Sequence, residues 1–101
     1  GWAPRVGSDV MGVTRFGGYS SVINVKGVTV RELPSGWSYA EGASFLCATL
    51  TAWYGLVELG GLRKGHTVLV HSAAGGVGLA SLDICTAKGA SAVATIGSPS
   101  K

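Results

Sequence analysis

The sequence predicts an α/β protein: a small antiparallel β region, then helices, then a parallel strand–helix–strand unit. Three observations predict it. Residues 1–35 consist of short segments that contain several β-branched residues, separated by glycine-containing turns. Residues 40–59 are rich in Ala and Leu and nearly without charge. Residues 67–101 then read as strand, glycine-rich turn, helix and strand, which is the pattern of a βαβ unit with a right-handed crossover.

The composition indicates a folded protein and argues against a membrane-spanning or nucleic-acid-binding one. The chain has 101 residues, of which 47% are hydrophobic and 13% charged, so it has enough apolar material for a core. Every apolar run is interrupted before the roughly 18 residues that a membrane span needs. The eight Lys and Arg residues are scattered rather than clustered, although the net charge is +3. We therefore expect no membrane span and no nucleic-acid partner.

The first 35 residues predict turns and short strands. A turn at residues 6–9 leads into a strand ending near Val13, and Gly17-Gly18 turns the chain again. Residues 19–25 and 28–33 are two further strand candidates, because β-branched residues are frequent in both.

A helical region follows. Ser38 is the predicted N-cap, and Glu41 stands at the position that completes a capping box. Residues 40–59 predict a buried helix in two segments, and Gly60-Gly61 ends it.

The last forty residues carry the most specific pattern. Residues 67–71 predict a central parallel strand, residues 77–88 a helix that ends at Gly89, and residues 92–96 a second buried strand. The glycine-rich turn, residues 73–78, matches the dinucleotide-binding pattern G-x-G-x-x-G with Ala73 in place of the first glycine.

Each position of the glycine-rich turn has a physical role in binding a dinucleotide. Gly75 would let the backbone approach a pyrophosphate, and Gly78 would let the helix pack closely on the strand. The helix N-terminus would offer N–H groups and a partial positive charge to the phosphates. The alternative is a glycine-rich turn without a nucleotide. The predicted phosphate-binding residues are Ala74, Gly75, Gly76, Val77 and Gly78.

The loop after the second strand favours NADPH over NADH. No acidic residue that could bind a ribose 2′-hydroxyl is present between Gly89 and Lys101. Ser98, Ser100 and Lys101 instead offer hydroxyls and a cation that suit a 2′-phosphate. Lys101 as a plain surface lysine is the alternative.

These motifs carry a family resemblance. Residues 70–80, V-H-S-A-A-G-G-V-G-L-A, resemble the nucleotide loop of the zinc-independent quinone oxidoreductase (zeta-crystallin-like) branch of the medium-chain dehydrogenase/reductases. Enoyl reductase modules of polyketide synthases and vesicle amine transport protein homologues share this loop. Upstream, V-G-S-D-V at residues 6–10, G-G-Y-S at 17–20 and L-T-A-W-Y at 50–54 also resemble motifs of the family.

The resemblance implies a domain organisation. Residues 1–35 would be the end of a GroES-like catalytic β domain, and residues 36–61 bridging helices. Residues 62–101 would be the first βαβ unit of an NADPH-binding Rossmann domain, a doubly wound parallel sheet. The chain would be an internal fragment that is inactive alone. Thr51 would lie near the nicotinamide, and Lys101 beside the 2′-phosphate.

The two cysteines predict buried free thiols. Cys47 and Cys85 each lie in an apolar stretch, which indicates a reducing compartment such as the cytoplasm or an organellar matrix or stroma. Cys47 also matches the position of a zinc-binding Cys in zinc-dependent relatives. No second Cys or His stands at suitable spacing, and the cysteine-rich lobe of those relatives is missing. A buried thiol is therefore favoured over a zinc ligand, and no metal is expected.

The function that follows is hydride transfer from NADPH to a quinone or an α,β-unsaturated carbonyl. No catalytic residue can be named, because neither His66 nor His71 has a partner at motif spacing. Two alternatives stay open: a non-catalytic structural or interaction subunit that keeps a dehydrogenase-like fragment, and an NADPH-binding sensor. A homodimer or a larger assembly is the expected form of association.

Overall fold

The computed structural model describes residues 3–101, and the chain divides into two compact units, Gly1–Cys47 and Ala48–Lys101. The first unit contains a two-stranded antiparallel sheet, in which β1 (Val10–Gly12) pairs with β2 (Val30–Glu32). A 3-10 turn, Gly27–Thr29, leads into β2. A Cβ on Gly12 would lie 2.7 Å from the Thr29 carbonyl oxygen, so the close pairing of the two strands requires glycine there.

One predicted strand does not form. Residues 19–25 have no strand conformation and pair with no strand among the residues that the structure describes. Tyr19 and Val22 are exposed. The prediction was wrong because β-branched composition reflects a fit to a half-buried pleated surface, and this segment has no such surface beside it. The strand predicted at residues 28–33 does form, but only over Val30–Glu32, after the 3-10 turn.

The capping box predicted for the first helix is confirmed. Helix α1, Tyr39–Trp53, directly follows Ser38. The Glu41 N–H donates to Ser38 Oγ at 3.1 Å, and the Ser38 N–H donates to Glu41 Oε2 at 2.6 Å. Two N–H groups at the helix start are thereby satisfied reciprocally.

A second polar contact lies at the same helix start. The Tyr39 hydroxyl donates a hydrogen bond to the Asp9 carboxylate, and this bond raises the pKa of Tyr39 above its ordinary value. Because the raised pKa favours the neutral phenol in the fold, its contribution to stability is present at neutral pH and is lost as pH rises through that pKa.

The helix continues past α1 without a break, as a π-helical segment, Tyr54–Leu59. The predicted division into two segments is thus a change of helix type. The Gly60 N–H donates to the Gly55 carbonyl at 3.0 Å, and Gly61 adopts a left-handed φ of 61° at the end.

The predicted burial of this helical region was wrong. Ala52 is buried, but Leu50 is 53% exposed and Tyr54 is also exposed. The Ala- and Leu-rich composition of residues 40–59 correctly predicted a helical region of this length. Its apolar faces stay open because no element described in residues 3–101 covers them.

The second unit contains the predicted βαβ pattern. Strand β3 (Thr67–Val70), helix α2 (Gly76–Lys88) and strand β4 (Ser91–Ala94) follow in order. The two strands pair in parallel, with Thr67 opposite Ser91 and Val70 opposite Ala94. Gly89 ends α2 with a left-handed φ of 70°, as the sequence predicted.

The core of the second unit is small. Its main cluster of buried residues consists of Ala52, Leu62, Ile84 and Cys85, and partly buried apolar residues of α2, β3 and the π-helical segment pack against them. Strand β4, however, is exposed along its length, and Val93 is 55% exposed. The prediction that residues 92–96 form a buried strand was therefore wrong in its burial, because among the described residues β4 has a partner on one edge only.

The two cysteines differ. Cys85 is 1% exposed, whereas Cys47 is exposed. The predicted burial holds for Cys85 and was wrong for Cys47, which lies on α1, where the apolar helix surface is open. Within residues 3–101, no helix has both the length and the apolarity to cross a membrane.

The capping box allows a test of helix stability. Ser38→Ala removes the side-chain acceptor of the Glu41 N–H, so we expect the free energy of unfolding to fall by about 1 kcal/mol. Ser38→Asp keeps an acceptor and should stay close to the original value. Urea unfolding followed by tryptophan fluorescence measures both; equal loss in the two variants would contradict the assigned cap.

Candidate functional site

A cavity lies at the carboxyl ends of β3 and β4. Its volume is about 650 Å³, within the range of small-molecule sites. In open parallel sheets, ligands bind outside the carboxyl ends of the strands. The lining residues are Ser72, Ala74, Gly75, Thr95, Ile96, Gly97 and Lys101.

The glycine-rich turn is tied to β4 by its backbone. The Ala73 N–H donates to the Thr95 carbonyl at 2.9 Å, and the Ala73 side chain is buried. The Thr95 N–H in turn donates to the Val70 carbonyl at 2.9 Å. These bonds extend the pairing of the two strands into the turn and fix the position of the cavity wall.

Gly78 is required by packing. A Cβ at this position would lie 2.4 Å from the Ser72 carbonyl oxygen and 2.6 Å from Ala73 Cα, so helix α2 packs directly on the backbone of the turn. Gly76 differs, because a Cβ there would meet only Ala48 Cβ, at an ordinary contact distance of 3.7 Å. The geometry thus agrees with the packing role inferred for the last glycine of the pattern.

Helix α2 starts next to the cavity, because Gly75, the residue before its first turn, is one of the lining residues. Gly75 is the N-cap, with extended backbone angles, and no described side chain caps the helix. The Leu79 N–H donates to the Gly75 carbonyl at 2.8 Å, so the N–H groups of Gly76, Val77 and Gly78 precede the first bond of the helix. Together with the partial positive charge of the helix start, they suit an anionic ligand.

The loop after β4 forms the other wall. Lys101 and Gly97 line the cavity, and the Lys101 N–H donates to the Ser98 carbonyl at 3.1 Å. Ser98 Oγ lies 2.9 Å from Ser100 Oγ, and neither residue is among the lining residues. Lys101 therefore lines the cavity, whereas Ser98 is hydrogen-bonded to Lys101 but does not line the cavity.

Besides Ser98, four predicted cofactor-binding residues are not among the lining residues: Gly76, Val77 and Gly78, which form the first turn of α2, and Thr51. Thr51 lies on α1. His71 Nδ1 lies 3.0 Å from Thr95 Oγ1, within hydrogen-bond distance. Among residues 3–101, no group of three or more His, Cys, Asp or Glu side chains could hold a metal ion.

Sequence reasoning missed four lining residues. Ser72 and Thr95 each follow a strand of the parallel pair, and Ile96 and Gly97 come directly after Thr95. The available signal was positional, since residues just after parallel strands lie at the ligand-binding edge of the sheet.

The chain is similar to segments of large synthases. No protein-family profile matches it. Phthioceranic/hydroxyphthioceranic acid synthase of Mycobacterium bovis is 40% identical over 97 residues, which is 96% of this chain and 5% of the synthase. The chain thus spans only a small part of the curated relatives that it matches.

Solved structures show a similarity to reductases. The CurK enoyl reductase is 44% identical with a TM-score of 0.68, over 72% of this chain and 22% of that one. The quinone oxidoreductase of Thermus thermophilus, also solved in complex with NADPH, is 31% identical with a TM-score of 0.81. That match covers 88% of this chain and 30% of the oxidoreductase.

The order of elements and these relatives define the class. The antiparallel β unit is the end of a GroES-like domain, and the βαβ unit is the start of a Rossmann sheet, as in medium-chain dehydrogenase/reductases. The chain belongs to that superfamily, and the solved structures that it resembles are enoyl reductases and quinone oxidoreductases. The resemblance and the fold class predicted from the sequence are confirmed.

The two glycines at the start of α2 give a matched test. Gly78→Ala forces a Cβ into the turn backbone, and we expect a loss of about 2–3 kcal/mol in the free energy of unfolding. Gly76→Ala has room, so its free energy of unfolding should stay within about 0.5 kcal/mol of the original. Urea unfolding of the two variants decides this; similar losses in both would show that the close approach is absent.

Proposed function

We propose that the protein carrying this chain is an NADPH-dependent oxidoreductase that transfers hydride to a quinone or an α,β-unsaturated carbonyl. The observation that carries the proposal is the cavity at the carboxyl ends of β3 and β4. Ala74 and Gly75, directly before helix α2, line it, and so does Lys101 in the loop after β4. This arrangement suits a ligand with two separated anionic groups.

The first anionic group would be the cofactor diphosphate. Ala74 and Gly75 line the cavity, and the first N–H groups of α2 belong to Gly76, Val77 and Gly78. Because these donors are already fixed by the turn, binding a diphosphate requires little rearrangement. The absence of a side-chain cap at Gly75 leaves room for an anion there.

The second anionic group would be the 2′-phosphate of NADPH. Lys101 lines the cavity and supplies the positive charge, and Ser98 and Ser100 lie next to it. No acidic residue that would repel a phosphate or bind a free ribose hydroxyl lies between Gly89 and Lys101. The local charge therefore favours NADPH over NADH.

The chemistry would come from the bound cofactor, which supplies the hydride, while the protein binds and orients it. Thr51 is proposed to flank the nicotinamide. No side chain of this chain is assigned to proton transfer, and no metal is required by the proposal.

The domain organisation is part of the same proposal. Residues 1–35 would close a GroES-like catalytic domain, residues 36–61 would bridge, and residues 62–101 would begin the NADPH-binding domain. Since relatives include large synthases, the protein would act within a larger assembly or as a homodimer, with an enoyl or quinone substrate.

A second candidate function is a non-catalytic interaction subunit. The observation in its favour is the open apolar surface of the β3–β4 pair, where Leu69 and Val93 are exposed. Surfaces of this kind are suited to burial against another protein segment. Turnover assays separate this candidate from the enzyme.

Lys101 provides the test of cofactor preference. Lys101→Ala removes the charge that would pair with the 2′-phosphate, so we expect affinity for NADPH to fall about tenfold or more while affinity for NADH is unchanged. Titration of the longest natural polypeptide that carries this sequence, followed by tryptophan fluorescence, measures both constants. The control for the loss of one positive charge is Lys26→Ala, which replaces an exposed lysine of the first unit. Binding of neither nucleotide by the unaltered protein would refute the proposed function.

Turnover tests the reaction class. The same polypeptide, mixed with NADPH and a panel of quinones and enones, should oxidise the cofactor with at least one acceptor, as followed by the absorbance of the reduced nicotinamide. NADPH binding with no oxidation by any acceptor would favour the sensor or the interaction subunit over the enzyme.

A further inference from the structure

Ser72 has a backbone conformation that is rare for its residue type. Its φ is 53°, and it is the one non-glycine residue with a positive φ in the part of the chain that the structure describes. Left-handed backbone is unfavourable for residues with a Cβ. Elsewhere the chain places glycine at such positions: Gly7, Gly17, Gly36, Gly61, Gly65 and Gly89. A serine at this point therefore departs from the pattern of the rest of the chain.

Neighbouring backbone contacts hold Ser72 in this conformation. Its carbonyl accepts the Gly75 N–H at 3.0 Å, and the next residue, Ala73, is buried and bonded to the Thr95 carbonyl. None of these contacts uses the serine side chain. The fold needs the left-handed turn, but it does not need a hydroxyl there.

The Ser72 side chain is available to a ligand. Ser72 is exposed and lines the cavity, and its hydroxyl has no hydrogen-bond partner among residues 3–101. Ser72 Oγ lies 3.7 Å from the position that a Cβ on Gly75 would take, so it is close to the start of α2. The hydroxyl thus lies beside the N–H groups that would bind a diphosphate.

We propose that Ser72 Oγ–H donates a hydrogen bond to an anionic oxygen of the dinucleotide diphosphate. This inference rests on the proposed function. It explains why a strained serine stands where glycine would fit better, since conformational strain of this kind is kept at sites where the side chain acts on a ligand. The diphosphate is common to NADPH and NADH, so Ser72 strengthens binding of both, while Lys101 determines the preference between them.

Two variants separate the hydroxyl from the backbone conformation. Ser72→Ala removes the hydroxyl and keeps the Cβ, and Ser72→Gly removes both. In the longest natural polypeptide that carries this sequence, we expect each variant to raise Kd about tenfold for NADPH and equally for NADH. Ser72→Gly should also melt about 2–4 °C higher than Ser72→Ala, because glycine has no strain at this φ.

The control is Ser44→Ala, which removes an exposed hydroxyl on α1 and should leave both Kd values unchanged. Unchanged nucleotide affinity in Ser72→Ala, with binding intact in the unaltered protein, would overturn the role of the hydroxyl. A loss confined to Ser72→Gly, or to NADPH alone, would overturn it as well. If the unaltered protein binds neither nucleotide, the proposed function fails together with this inference.

Discussion

The close approach of helix α2 to the turn after β3 is the constraint on which the candidate site depends. No Cβ can be placed at Gly78 without overlapping the Ser72 carbonyl and the Ala73 backbone. The helix begins against that backbone, directly after Gly75, which lines the cavity, and its first N–H groups are not used by the helix itself. A bulkier residue would move the helix start away from the strand and displace the donors with it.

The opposite wall depends on the pairing of β3 with β4. The Thr95 backbone is bonded on one side to Val70 and on the other to Ala73, so the loop that carries Lys101 starts from a fixed point. The site therefore combines fixed backbone donors with the side-chain cation of Lys101. This combination suits a dinucleotide. Fixed N–H donors match the positions of the diphosphate oxygens, and a cation pairs with the charge of the 2′-phosphate.

The sequence correctly predicted the features that depend on residues close together in the chain, such as helix caps and turns. The capping box at Ser38, the helix ends at Gly61 and Gly89 and the parallel strands around a glycine-rich turn all formed as expected. Burial was predicted less well, because apolar composition shows that a surface can be buried but not which element covers it. Cys47 and strand β4 are exposed for this reason. The strained φ of Ser72 could not be read from the sequence, since glycine is the residue that signals such a position.

The most direct test of the account is a crystal structure of the longest natural polypeptide carrying this sequence, grown with NADPH. The account predicts diphosphate oxygens within hydrogen-bond distance of the N–H groups of Gly76, Val77 and Gly78, and the 2′-phosphate beside Lys101. NADPH bound elsewhere, with no contact to the start of α2, would contradict the assignment of this cavity as the cofactor site.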